Sequence, residues 1–85
     1  MIFTVTWAEA AIQALANIWN QPTTDRAALN AATNEIDAEL RIDPDTVGRR
    51  TVGNIREWIH PPLGVEFEVL EPDRIVNVLF VWAVS

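Results

Sequence analysis

The segment 75–84 constrains the fold most, because both faces of any strand that it forms are apolar. Side chains alternate in direction along a strand, so the segment carries two sets of side chains. One set is Ile75, Leu79, Val81 and Ala83, and the other is Val76, Val78, Phe80, Trp82 and Val84. A strand with this pattern is usually central in its sheet or covered on both faces. The rest of the chain therefore has to supply strands that pair with it and helices that pack on it.

Two segments with helical spacing can provide one such cover. We predict helices over residues 8–20 and 24–41. Their apolar residues follow helical spacing. The predicted stripes are Ala8, Ala11, Ile12, Leu15, Ile18 and Trp19 in the first helix and Leu29, Ala32, Ile36 and Leu40 in the second. Pro22 and Pro44 follow the two segments and disfavour continuation of each helix. The link between the segments is short, which predicts an antiparallel helical hairpin.

Extended patterns surround the two helical segments. Alternating, β-branched and aromatic residues predict strands at 2–6, 55–60, 65–70 and 75–84. Residues 43–54 are mostly polar and include two glycines, which predicts a loop. The order β-α-α-β-β-β is that of an α+β fold, with an N-terminal strand and an antiparallel helical hairpin packed on a mainly antiparallel four-stranded sheet. The 85 residues are predicted to form one domain, 1–85.

Composition excludes several kinds of chemistry. The chain has no cysteine, no lysine and one histidine, so we predict no metal site, no Schiff-base catalysis and no cofactor. Twelve acidic residues outnumber six arginines, for a formal net charge of −6, which disfavours nucleic-acid binding through overall charge. No signal-like segment or bilayer-length apolar stretch is present in the sequence. We therefore predict a cytoplasmic protein without membrane contact.

Five short segments, taken with the order of the elements, form a recognisable pattern. They are 3–7, 43–44, 55–65, 73–74 and 78–82. The most specific part is Pro-Pro-Leu-Gly-Val at 61–65, which lies between two predicted strands. In this arrangement the chain resembles, over nearly its whole length, the RelE/ParE superfamily of toxins from bacterial type II toxin–antitoxin systems. The resemblance implies a toxin or toxin-like protein that a cognate antitoxin binds and neutralises.

The resemblance also implies one of two targets. RelE-like members cleave mRNA on the ribosome, whereas ParE-like members inhibit DNA gyrase and cleave nothing. RelE-like nucleases carry basic residues on the outer face of the second and third strands and an arginine after the last strand. Here Arg56 stands at the first of these positions, Trp58 replaces the second, and residues 83–85 include no arginine. The open alternatives are an mRNA endonuclease with an atypical site, a gyrase inhibitor and a catalytically silent binding paralogue.

Candidate catalytic residues lie in the predicted strand 55–60. Positions 56, 58 and 60 share one strand face, so Arg56, Trp58 and His60 would form a row. RNA cleavage needs a cation at the phosphate and an acid or base, for which Arg56 and His60 are the candidates. Trp58 would stack on a base. The alternative is that Arg56 and Trp58 pair with Glu66 or Glu68 of the next strand and that His60 is a turn residue before the two prolines.

Two further groups of residues are candidates for contacts. Arg49 and Arg50 are predicted to contact RNA or phosphate, with simple solvation as the alternative. The helical hairpin covers one face of the last strand, so the other face would be an apolar band that a partner covers. This band is Val76, Val78, Phe80 and Trp82. We expect an antitoxin segment with Lys or Arg beside its apolar anchors; the alternatives are a homodimer or burial of the band against the helices.

Overall fold

The chain folds as a mixed β-sheet with a helical hairpin on one face. A computed structural model describes residues 2–84. In chain order the elements are β1 (Thr4–Trp7), α1 (Glu9–Trp19), α2 (Arg26–Ile42), β2 (Arg49–Val52), β3 (Ile55–His60), β4 (Leu63–Leu70) and β5 (Ile75–Ala83). The predicted α+β class is confirmed, and β2 is an additional strand within the segment predicted as a loop. Among the described residues, no helix has the length and apolar character needed to cross a membrane.

The strand order β1-β5-β4-β3-β2 explains the apolar character of β5. β5 lies inside the sheet, parallel to β1 and antiparallel to β4. β3 pairs antiparallel with β4, and β2 with β3. β2 is an edge strand, and all four of its residues are exposed. An edge strand needs few apolar side chains, so a polar segment can occupy this position.

The core lies between the sheet and the helical hairpin. α2 buries the predicted stripe of Leu29, Ala32, Ile36 and Leu40. These side chains belong to one cluster with the buried side chains of β4 and β5. The face of α2 was predictable because polar residues occupy most of its other positions.

Only part of the predicted stripe of α1 packs against the core. Ala11 is fully buried, and Leu15 and Ile18 pack against the core. Ile12 and Trp19 are instead 49% and 40% exposed. α1 is apolar around most of its circumference, so the spacing of its large residues does not identify one face. The small Ala11 side chain lets the helix lie close to β5.

A bulge in β5 divides its apolar side chains between the two faces. Glu66 pairs with Phe80, whereas the next residue, Phe67, pairs with Val78, so Leu79 is an extra residue in β5. Val76 and Val78 are fully buried in the core. The prediction that these two valines belong to an exposed band is therefore wrong. Phe80 lies on the opposite face and is 45% exposed.

Candidate functional site

The predicted row on β3 lies on the side of the sheet that faces the helices. Its members are Arg56, Trp58 and His60, and their partners on β4 are Phe67, Val65 and Leu63. Paired residues of neighbouring strands point to the same face, and all three partners are fully buried under the hairpin. The row therefore borders the core, whereas the resemblance to RelE-like nucleases implied the outer face.

Arg56 holds the turn that leads into β2. Its Nε donates to the Val47 carbonyl oxygen at 2.9 Å, and its Nη2 donates to the Gly48 carbonyl oxygen at 3.2 Å. Hydrogen bonds from a charged donor are stronger than those between neutral groups. A phosphate that recruited this guanidinium would have to replace both contacts. The side chain thus already has a role in the fold.

His60 lies at the other end of β3, beside α2. Its Nε2 is 3.3 Å from Oε2 of Glu35, and its ring meets that of Trp58 edge to face, with centroids 5.1 Å apart. Within residues 2–84, the buried Nδ1 atom of His60 has no hydrogen-bond partner. Arg56 and His60 are four residues apart on β3, which is about 13 Å along the strand. The fold does not bring these two groups to one phosphate, and their catalytic roles stay a prediction.

Arg49 lies on the edge strand β2 and faces away from the helices. Its Nη2 is 3.3 Å from Oε1 of Glu57, and its side chain is 80% exposed. An exposed ion pair of this kind contributes about 0–1 kcal/mol. Arg49 is therefore free to exchange its partner, as a contact residue would need to be.

Arg50 lies in a different, more acidic setting. It is paired with Arg56 across the β2–β3 ladder and lines a hollow of about 220 Å³ with Asp45 and Glu71. The pKa of Glu71 is raised, chiefly because its carboxyl shares a hydrogen bond with Asp45 and further by desolvation and the charge of Asp45, while Arg74 lowers it. Arg56 lines the same hollow, so two carboxyl groups offset the charge of two arginines, and the hollow is not a cationic site for an incoming phosphate.

Two glycines flank β2, and substitutions at them test how closely the backbone packs at this edge of the sheet. Gly48 and Gly53 both have positive φ, at 66° and 57°. A Cβ at Gly48 would overlap the Glu57 carbonyl, whereas a Cβ at Gly53 would meet nothing. We expect Gly53→Ala to cost about 1–2 kcal/mol from backbone strain alone and Gly48→Ala about 1–3 kcal/mol more. Urea unfolding of both variants measures the difference, and equal losses would show that Gly48 is not so closely packed.

The sheet face away from the hairpin, called the outer face below, carries three cross-strand rows. They are Trp82–Gly64–Ile59, Phe80–Glu66–Glu57–Arg49 and Asn77–Glu68–Ile55. Ile59 is 53% exposed, and a Cβ at Gly64 would overlap the Trp82 indole. The outer face therefore combines apolar side chains with three carboxylates. The glutamates of β4 lie opposite Glu57 and Ile55, so the alternative pairing with Arg56 and Trp58 is not formed.

A hollow of about 540 Å³ lies between the helical hairpin and the ends of β4 and β5. Its lining includes Ile18, Leu29 and Val84, and none of the predicted site residues. Among the described residues that line it, Asp25 is the only ionisable one. Asp25 accepts a hydrogen bond from the Ala28 amide at 3.0 Å and so caps α2. The hollow thus brings together no catalytic groups.

Comparison with known proteins relates this arrangement to solved structures. No family model and no curated protein matches the chain. The toxin–antitoxin complex RelBE2 from Mycobacterium tuberculosis matches with a TM-score of 0.76 and 20% identity, over 98% of this chain and 99% of that chain. The chain has the fold of the RelE/ParE toxins. The resemblance stated from the sequence is thereby confirmed for the fold.

Two further RelE/ParE structures show the same likeness. The chromosomal ParDE system from P. aeruginosa matches with a TM-score of 0.71 and 19% identity, over 99% of this chain and 98% of that chain. The archaeal RelE–RelB complex from Pyrococcus horikoshii matches with a TM-score of 0.65 and 15% identity, over 98% and 96%. Both RelE and ParE proteins share this fold, so the fold alone does not choose between a nuclease and a gyrase inhibitor.

Proposed function

We propose that this chain is the toxin-type subunit of a type II toxin–antitoxin module and that its main activity is to bind a cognate antitoxin, which neutralises it. The observation that carries the proposal is the likeness, over 98% of the chain, to a structure determined as a toxin–antitoxin complex. The outer face adds support, because Phe80 and Ile59 are 45% and 53% exposed there. Together with Trp82 in the same row as Ile59, these side chains make this sheet face a candidate surface for a protein partner.

The proposal predicts that a short reading frame beside the gene encodes the antitoxin, and co-expression with the product of that adjacent reading frame tests it. We expect the two polypeptides to purify together as a stable complex. Growth that slows when this chain is expressed alone and recovers on co-expression would identify an active toxin, and unchanged growth with a complex would identify a silent paralogue. Failure of the wild-type chain to bind that product would overturn the proposal.

A second candidate function is ribosome-dependent mRNA cleavage by Arg56 and His60. The alignment of Arg56, Trp58 and His60 in one row favours it, and Arg49 or Arg50 would then contact the RNA. The hydrogen bonds of Arg56 to the turn and the distance to His60 weigh against it. Those hydrogen bonds engage Arg56, which is the only residue of β3 predicted to bind phosphate. We therefore rank this candidate below antitoxin binding.

Primer extension on translated mRNA tests the nuclease candidate. We expect no specific cleavage by the wild-type protein. If cleavage occurs and both Arg56→Ala and His60→Ala abolish it while circular dichroism shows an intact fold, the nuclease assignment is correct. Arg56→Ala leaves two carbonyls without their donor and should cost about 1–3 kcal/mol of stability, so the folding control is essential. Cleavage that neither substitution changes would exclude these two residues as the site.

Gyrase inhibition is a third candidate, favoured by the likeness to the ParDE system. It needs a binding surface rather than catalytic groups. In a supercoiling assay with purified gyrase, an inhibitor of this kind would retain its effect in the His60→Ala variant. Absence of inhibition by the wild-type protein would exclude this target.

A further inference from the structure

The second row of the outer face places two negative charges opposite each other. Glu57 on β3 and Glu66 on β4 are direct cross-strand partners, and Glu68 lies two residues along β4 on the same face. Arg49 pairs with Glu57, whereas neither Glu66 nor Glu68 forms an ion pair within residues 2–84. Like charges that face each other across a ladder destabilise a sheet. The free protein therefore carries a repulsion that a cation from outside would relieve.

Apolar side chains flank these carboxylates at short range. Phe80 is the direct partner of Glu66 on β5, and Ile59 lies in the next row. Direct partners are about 5 Å apart, and neighbouring rows on one face are about 7 Å apart. One extended or helical segment can therefore contact both kinds of group at once.

We propose that the outer face binds a cationic, amphipathic segment of the antitoxin, whose Lys or Arg side chains pair with Glu66 and Glu68 while its apolar side chains pack on Phe80 and Ile59. This inference rests on the proposed function and adds the chemistry of the partner. The formal net charge of −6 also accelerates encounter with a basic segment.

The same charges argue against other occupants of the outer face. A second copy of the chain in a symmetric dimer would present the same carboxylates to this face, and so would increase the repulsion. A nucleic-acid phosphate backbone would meet Glu66 and Glu68 with like charge. A basic polypeptide is the occupant that removes the repulsion rather than adding to it.

The test compares Glu66→Gln/Glu68→Gln with a control, Glu9→Gln/Glu39→Gln, that removes the same charge from the exposed surface of the helices. The probe is the product of the adjacent short reading frame, titrated calorimetrically at low and high salt. We expect about tenfold weaker binding for the outer-face variant, as for two partly exposed ion pairs, and a shallower salt dependence. The control should retain its affinity within about twofold.

The thermal stability of the unbound variant completes the test. Removing the repulsion should raise its Tm by about 1–6 °C. Weaker binding together with a higher Tm would show that the carboxylates bind the partner and do not stabilise the fold. A lowered Tm would mean that the carboxylates stabilise the fold and would overturn the inference. Unchanged affinity in the outer-face variant would overturn it too and leave the proposed function intact, whereas absence of binding by the wild-type chain would overturn both.

Discussion

Replacement of Ile36 by alanine is expected to lower the free energy of unfolding by about 2–5 kcal/mol. Ile36 is fully buried on α2, in the cluster that joins the hairpin to β4 and β5. The substitution leaves a cavity that the surrounding side chains fill only in part. A domain of 85 residues has a total stability of about 4–13 kcal/mol, so the loss is a large fraction of the whole.

Ile42 provides a matched control on the same helix. It is the last residue of α2 and is 67% exposed, so Ile42→Ala should change the free energy of unfolding by less than about 0.5 kcal/mol. Urea unfolding followed by circular dichroism measures both variants. Similar losses at the two positions would contradict the packing of α2 described above.

Replacement of Phe80 by aspartate is expected to abolish binding of the proposed antitoxin while the fold persists. A central aromatic side chain in an interface commonly contributes about 2–4 kcal/mol, or roughly 30- to 1000-fold in affinity. An aspartate would also add a fourth carboxylate beside Glu66. The fold should persist because Phe80 is 45% exposed and lies outside the core.

Ile12 on α1 is the control for this substitution, because its 49% exposure is close to that of Phe80. Ile12→Asp places the same charge on the helical side of the molecule and should leave binding unchanged. Pull-down of the adjacent gene product, with circular dichroism of each variant, reads out both effects. Equal binding by the two variants would place the interface elsewhere, and unfolding of Phe80→Asp alone would show that Phe80 belongs to the core.

The sequence predicted the elements of the fold better than the faces that they present. In α2 the large apolar residues recur at helical spacing among polar residues, and the predicted stripe is the buried one. In β5, two apolar sets alternate, and the extra residue Leu79 moves Phe80 to the face opposite Val78. Period-two alternation cannot reveal a bulge when both faces are apolar, because no polar residue marks the change.

The strand β2 was missed although a local signal for it exists. Val52 pairs with Ile55, so Gly53-Asn54 is a two-residue hairpin loop, and Gly-Asn is a sequence typical of such loops. The segment was predicted as a loop because most of its residues are polar. The strand is polar because it lies at the edge of the sheet and buries none of its residues.

Predicting the faces of the candidate site residues required the register of β3 against β4. The alternation of side chains along β3 does not specify that register. Residues 55–60 divide into two sets, and only their pairing with β4 shows that Arg56 shares a face with buried Phe67. The contacts of Arg56 with the Val47 and Gly48 carbonyls depend on the path of the turn. Ile59 was missed as part of the outer face for the same reason, although it lies two residues from Glu57 and therefore on the same face of the strand.

Binding of the proposed antitoxin to the outer face is tested most directly by amide and indole NMR of the ¹⁵N-labelled protein. Two tryptophans act as opposite reporters: Trp82 lies on the outer face over Gly64, and Trp19 lies on α1 with 40% exposure. On titration with the product of the adjacent short reading frame, the Trp82 indole signal and the amides of β3, β4 and β5 should shift, while the Trp19 indole signal should not. Shifts at Trp19 and the helices with Trp82 unchanged, or no shifts at all, would contradict binding at the outer face.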